Sequence, residues 1–185
     1  MLPWGHAAVG YLLYAALCRY RSGDTPQPTP VVALAVGTQI ADLIDKPLAW
    51  YLGVLPSGRS LGHSIFAAIV LIAIVESLAR RYDRRELSVP FALGHLSHLA
   101  ADSVYPLARG EFSTLGFLLW PLVPQTPDDT ELENTILQVL LDASFSPTGL
   151  FEILLLSLAT GLWLAHRAPG LMLCIDAVRE RLGNR

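Results

Sequence analysis

Charge is scarce in this sequence. Only 16% of its residues are Asp, Glu, Lys or Arg, against about a quarter in soluble domains. Lysine is almost missing, with Lys46 the single one among 13 basic residues. Cysteine is limited to Cys18 and Cys174, each in an apolar helical context. That excludes a disulfide framework and a cysteine-based zinc site. The start, Met1–Trp4, lacks a basic segment, and no small-residue cleavage site follows the first apolar run. No cleavable signal peptide is therefore predicted, and that run reads as a retained first span. Internal repeats and low-complexity tracts are also lacking.

What is abundant is apolar surface. The chain is 52% hydrophobic over 185 residues, with a mean hydropathy of +0.45. Uncharged runs cover Leu2–Cys18, Thr25–Ala41, Ser60–Val75, Leu87–Ala101 and Phe112–Pro127, with a shorter one at Ile153–His166. Each is at or just below the roughly 17–25 residues that span a bilayer. A soluble protein of this size lacks the interior to hide them all. The expected fold is all-α: a polytopic membrane helix bundle of about five spans. Helices are predicted near residues 4–20, 30–53, 60–82, 87–105 and 148–166. Pro26, Pro28 and Pro30 form a stiff loop before the second. Phe112–Val123 is too short for a span and reads as a re-entrant or interfacial helix. Asp128–Glu133 is an acidic loop leading to a modest helix around 131–143. Leu171–Leu182 reads as an amphipathic C-terminal helix. All 185 residues make one domain, with a core over 1–123 and a variable loop, last span and terminal helix over 124–185.

Laid on an up-and-down topology, the basic residues separate. Arg19, Arg21, Arg80, Arg81, Arg84, Arg85, Arg167, Arg179, Arg181 and Arg185 fall on one side; Lys46, Arg59 and Arg109 fall on the other. Ten against three predicts a cell-membrane protein, multi-pass, with its Arg-rich loops in the cytoplasm. The Arg80–Arg85 cluster then reads as a topology signal touching anionic lipid, not as a nucleic-acid patch.

The same map gathers the residues that carry chemistry. His6 starts the first helix, Asp42 and Asp45 stand near the outer end of the second, and His63 opens the third. His98 and Asp102 lie toward the outer end of the fourth, about 17 Å from Leu87. Imidazole with carboxylate is the ligand set of a divalent metal such as zinc, one ion or two. His95, His98 and Asp102 share one helix face, as do Asp42 and Asp45. His95 is expected behind the metal or as a polar core residue, with Ser64 and Gln39 also around it. Arg59, in a turn formed by Pro56 and Gly58 before the N-cap Ser60, suits an anion such as phosphate, or snorkels to the interface. Lys46 and Gln39 carry the same two readings.

Four blocks then resemble a known family: His6; Gly37-Thr-Gln-Ile-Ala-Asp42-Leu-Ile-Asp45; Arg59-Ser-Leu-Gly-His63-Ser64; and Gly94-His-Leu-Ser-His98-Leu-Ala-Ala-Asp102. The chain is similar, over residues 1 to about 123, to the LexA-binding, inner-membrane-associated hydrolases, also described as membrane-bound metal-dependent hydrolases. Where that family usually reads Pro-Asp-x-Asp, this chain has Ile40-Ala41 before Asp42, and its two aspartates are three apart. The family is distantly similar to zinc-dependent phospholipase C and single-strand nucleases, all-helical enzymes that cleave phosphoesters with zinc. The resemblance implies a main metal site of Asp42 or Asp45, His63, His98 and Asp102. His6 and a bridging Asp102 would help hold a second ion.

Three functions remain open on these residues. One is a metal-dependent hydrolase acting on a small-molecule or lipid-derived phosphoester at the outer face. In it, whichever of Asp42 and Asp45 does not ligate is the base, and Arg59 clamps a phosphoryl oxygen. Another is a metal- or proton-coupled transporter. The third is a structural metal that staples the helices.

Overall fold

The computed structural model describes residues 1–125 and 146–183. The acidic loop Asp128–Glu133 and the helix predicted around 131–143 lie outside the described residues. Those described are all helix, turn and loop. Five long helices form the bundle: α1 (Pro3–Arg21), α2 (Pro28–Lys46), α3 (Ile65–Arg81), α4 (Ser88–Arg109) and α5 (Pro147–Ala165). A shorter α6 (Leu171–Gly183) follows. A π-helical turn, Pro47–Tyr51, extends α2, and a 3-10 helix covers Phe112–Leu119.

The starts and stops follow local chemistry. Proline in the first turn of α1, α2 and α5 supplies a preset φ where an N–H has no helical partner anyway. Helix α4 runs four residues past its predicted end. Pro106 falls in its last turns, where the missing N–H removes only the bond to the Asp102 carbonyl. Gly110, at φ 72°, then closes it in the left-handed conformation. Helix α3 starts later than the predicted residue 60. Its N-cap is Ser64, whose hydroxyl accepts from the Phe66 N–H. Ser60 is not the cap, because the backbone of 60–63 is drawn onto the Asp45 carboxylate.

Helix α4 is central, packing against α1, α2 and α3. Gly37 of α2 and Gly94 of α4 let two backbones touch. A β-carbon at Gly94 would stand 2.5 Å from the Leu34 carbonyl oxygen, and one at Gly37 would collide with the Phe91 carbonyl. Small residues at a crossing permit this close van der Waals packing.

The interior is apolar at one end and polar at the other. Tyr11, Tyr14, Ala15, Val31 and Leu34 form an apolar core, flanked by Leu93, Leu162 and Trp163. At the opposite end the buried side chains are His6, Asp42, Asp45, His63, His98 and Asp102. Among the largest fully buried side chains, Phe117 alone is apolar. Outward, the pattern inverts: Ile69, Val70, Ile74 and Leu78 of α3, and Leu150, Leu154 and Leu158 of α5, are exposed.

One described helix, α5, is both long and apolar enough to cross a membrane, with a hydropathy of 1.7. Helices α1, α2 and α4 have the length, at 19, 19 and 22 residues. The histidines, aspartates and glycines of the polar end lower their hydropathy. The expected all-α class is thus met, with five long helices in the predicted order, while by the hydropathy test one of the described helices, not about five, qualifies as a span.

Candidate metal centre

Residues far apart in sequence meet at the polar end because the helices alternate in direction. His6 comes from the first turns of α1, Asp42 from the last turns of α2, His98 from the middle of α4 and Asp102 from one turn further on. His63 comes from the loop just ahead of α3.

Two rings define the centre. The Nε2 atoms of His63 and His98 face each other at 3.0 Å. The other nitrogen of each ring is committed. His98 Nδ1 donates to the Thr38 carbonyl oxygen at 2.7 Å, and His63 Nδ1 donates to Asp45 Oδ2 at 2.8 Å. A carbonyl and a carboxylate only accept, so both Nδ1 atoms carry the hydrogen. With both rings neutral their Nε2 lone pairs would point at one another, so the 3.0 Å approach calls for positive charge between them, either a bound cation or a proton on one Nε2.

Two carboxylates close on the same point. Asp42 Oδ1 lies 3.5 Å from His63 Nε2 and 3.9 Å from His98 Nε2. Asp102 Oδ2 lies 3.3 and 3.8 Å from the same two atoms. Donors bound to a tetrahedral zinc at about 2.0–2.1 Å stand about 3.3–3.4 Å from one another. The observed separations, 3.0 to 3.9 Å, bracket that edge. The residues present therefore fit a divalent cation in donor type and in spacing. Where that positive charge is a proton, His63 is the ring that carries it. Burial opposes its charge, but Asp102, Asp42 and Asp45 outweigh that and leave its pKa pushed up to about 10.

A second, overlapping group comprises His6, His98 and Asp102. The His6 and His98 rings stack at 3.8 Å. His6 Nε2 sits 3.1 Å from the Met1 carbonyl oxygen and 3.3 Å from Asp102 Oδ1, while its Nδ1 is buried with no hydrogen-bond partner. The Met1 amino group donates to the same Asp102 oxygen at 2.6 Å. Asp102 thus turns one oxygen to each group.

The structure separates the two aspartates of α2. Asp42 faces the cluster. Asp45 is fully buried, and its oxygens accept the N–H groups of Ser60, Gly62 and His63 as well as the His63 ring. It holds the imidazole from behind, as carboxylates behind metal-bound histidines do. Gly62 makes that loop possible, since a β-carbon there would lie 2.8 Å from the Ala41 carbonyl oxygen.

The remaining predicted residues surround the centre. His95 is buried but outside the cluster, stacked on Phe91, with neither ring nitrogen in a hydrogen bond. Ser64 donates to the Trp120 carbonyl oxygen at 2.6 Å, and Gln39 donates to the Pro3 carbonyl at 3.0 Å. Both fasten the surroundings and touch no cluster atom. The mouth is basic. Lys46 Nζ meets Asp42 Oδ2 at 2.9 Å with its side chain 30% exposed, and Arg59 Nε meets Asp102 Oδ2 at 3.3 Å at 44%.

Several contributors went unread in the sequence. Phe117, on the 3-10 helix where an interfacial helix is predicted, sets its ring edge-on to His63 at 6.0 Å. The Thr38 carbonyl orients His98, and Glu152 of α5 holds the chain start. A carboxyl alone in an apolar helix was the visible signal for Glu152.

The family model described as YdjM inner membrane protein matches residues 1–168. The chain belongs to the YdjM inner membrane protein family. The match carries through α5, beyond residue 123 where the resemblance drawn from motifs stops, so the helix bearing Glu152 lies within the family region of this YdjM-family chain. No curated protein and no solved structure matches the chain. The family match carries the inner-membrane description and does not extend to a hydrolase or to zinc-dependent phospholipase C.

Proposed function

We propose that this chain is a multi-pass, membrane-bound, metal-dependent hydrolase acting on a phosphoester at the outer face of the inner membrane. The observation that carries this reading is the convergence of His63, His98, Asp42 and Asp102 on one point. In this reading these four hold a divalent cation, Zn²⁺ being the first choice for a mixed nitrogen and oxygen set, with His6 and the second oxygen of Asp102 available to another. Such an ion supplies a water of lowered pKa and polarises the group to be cleaved. Asp45 keeps the His63 tautomer; with all its acceptors engaged it is an orienting residue, not the base. Arg59 and Lys46, half-exposed at the mouth, bind the oxygens of an anionic substrate. A lipid-derived phosphoester suits a mouth near the headgroups.

In this reading the five long helices span the membrane, and helix length supports it. A helix of 19 residues is about 28 Å long, close to the roughly 30 Å hydrocarbon core. The exposed leucines and isoleucines of α3 and α5 face lipid, and the arginines that follow α1, α3 and α5 lie at the bundle end away from the cluster. Cysteines introduced at Arg59 and Arg84 should label from opposite sides; labelling from the same side would overturn this topology.

A second reading has its own support. Four protein donors fill a tetrahedral shell, as in structural zinc sites, so the ion could staple the helices without chemistry. Transport has less: the layer beneath the cluster is apolar, and Glu76 is at the surface, paired with Arg80. The deciding experiment is metal analysis of detergent-purified protein, followed by a screen of phosphomonoester, phosphodiester and phospholipid substrates. Stoichiometric metal with turnover supports the hydrolase, and metal without turnover supports the staple. No retained metal removes both.

A further inference from the structure

Glu152 stands in the second turn of α5, a helix of 19 residues and about five turns, and is its only acidic or basic residue. Its side chain is 3% exposed, and no cation meets it among the described residues. Residues of this kind inside a membrane helix mark function more often than packing.

Its contacts are specific. Oε2 accepts the Leu2 backbone N–H at 3.0 Å, and Oε1 accepts the Tyr105 hydroxyl at 3.2 Å. Leu2 is the N-cap residue of α1, four positions before His6, and the Met1 carbonyl next to it meets His6 Nε2. Tyr105 stands one helical turn beyond Asp102 on α4, on the same face. The carboxyl therefore bridges two segments that each carry a cluster residue, from a helix that carries none. Gly5 records the closeness of the fit, because a β-carbon there would lie 2.8 Å from Oε2.

We infer that Glu152 is a positioning residue of the metal centre, locking the His6-bearing start of α1 to the Asp102 turn of α4. This rests on the metal-centre reading above for its chemical consequence, while the lock itself is a separate, testable contact. Coupling of this sort is reciprocal. If Glu152 sets the cluster, a bound cation should in turn hold the chain start more tightly.

The test uses the full chain in detergent, with Zn²⁺ as the probe and hydrogen exchange of the peptide covering residues 1–14 as a second readout. In E152A, Zn²⁺ affinity should fall on the order of 10–100-fold, the usual scale for groups that orient ligands, and exchange of the peptide should rise. E152Q keeps the shape, an acceptor for Leu2 and an amide that can donate to Tyr105, and should retain near wild-type values. Y105F removes one of the two contacts and should fall between. Zn²⁺ should slow exchange of the same peptide in wild type and not in E152A. If E152A lowers the melting temperature but leaves both affinity and peptide exchange unchanged, Glu152 is a packing residue and the inference fails. If wild type binds no Zn²⁺, the metal reading fails, and the exchange comparison of E152A with E152Q still decides the lock. Should E152A not fold, Y105F and G5A carry the same two readouts, and no change in either variant overturns the proposal.

Discussion

The two ends of this bundle are built from the same helices and obey different rules. At one end α1, α2 and α5 bury Tyr11, Tyr14, Val31, Leu34 and Trp163 against each other. At the other, α1, α2, α4 and the loop before α3 bury three histidines and three aspartates, with the Nε2 atoms of His63 and His98 facing each other at 3.0 Å. The apolar end is self-sufficient, since dispersion contacts need no outside partner. The polar end is not. Its buried carboxylates are held by positive charge, from Lys46 at Asp42 and from the Met1 amino group and Arg59 at Asp102. The point between the His63 and His98 rings is where a bound cation would add to that charge.

The largest effects should come from the cluster itself. His98→Ala removes the residue common to both ligand groups, and Asp102→Ala removes the carboxylate that meets His6 through one oxygen and His63 and His98 through the other. Stoichiometric divalent metal should be lost in either, as read by elemental analysis of purified protein; full retention in both would falsify the metal centre. Asp45→Asn comes next. It leaves the four cluster donors in place and disturbs only the support of His63, so affinity should fall about 10–100-fold with stoichiometry preserved at saturating metal. An unchanged affinity would mean that His63 needs no orienting carboxylate.

The apolar end supplies the converse. Leu34→Ala should destabilise the fold by about 2–5 kcal/mol in denaturant titration, the usual cost of a buried leucine, while metal content stays at the wild-type level. If metal is lost in step with stability, the two ends are not independent. The smallest effect is expected at the seam. Ser64→Ala removes the cap of α3 and its tie to Trp120, costing about 0.5–2 kcal/mol, and should alter metal affinity little, since Ser64 touches no cluster atom.

Much of this was legible before any fold was known, and the reasons are local. Long uncharged runs have few alternatives to helix. His98 and Asp102, four apart, must share a helix face. What misled was competition for backbone donors. Ser60 is a good cap by residue type, yet Asp45 draws the N–H groups of 60, 62 and 63 to itself and moves the helix start to residue 65. The same contacts answer which aspartate faces the cluster, because a carboxylate that accepts four N–H bonds has no oxygen left to turn toward a metal. Glu152 could be seen as unusual, but its partners, Leu2 and Tyr105, are 150 and 47 residues away.

By itself, then, the order of residues determined the helical class, the membrane character and the inventory of imidazoles and carboxylates, because hydropathy and helical period act over a few turns of chain. Only the packed bundle decided which of those groups share a point, which stand behind them, and that α5 takes part. Those outcomes depend on the close approach of α2 and α4 at Gly37 and Gly94 and on loop donors finding Asp45, contacts between segments with no proximity along the chain.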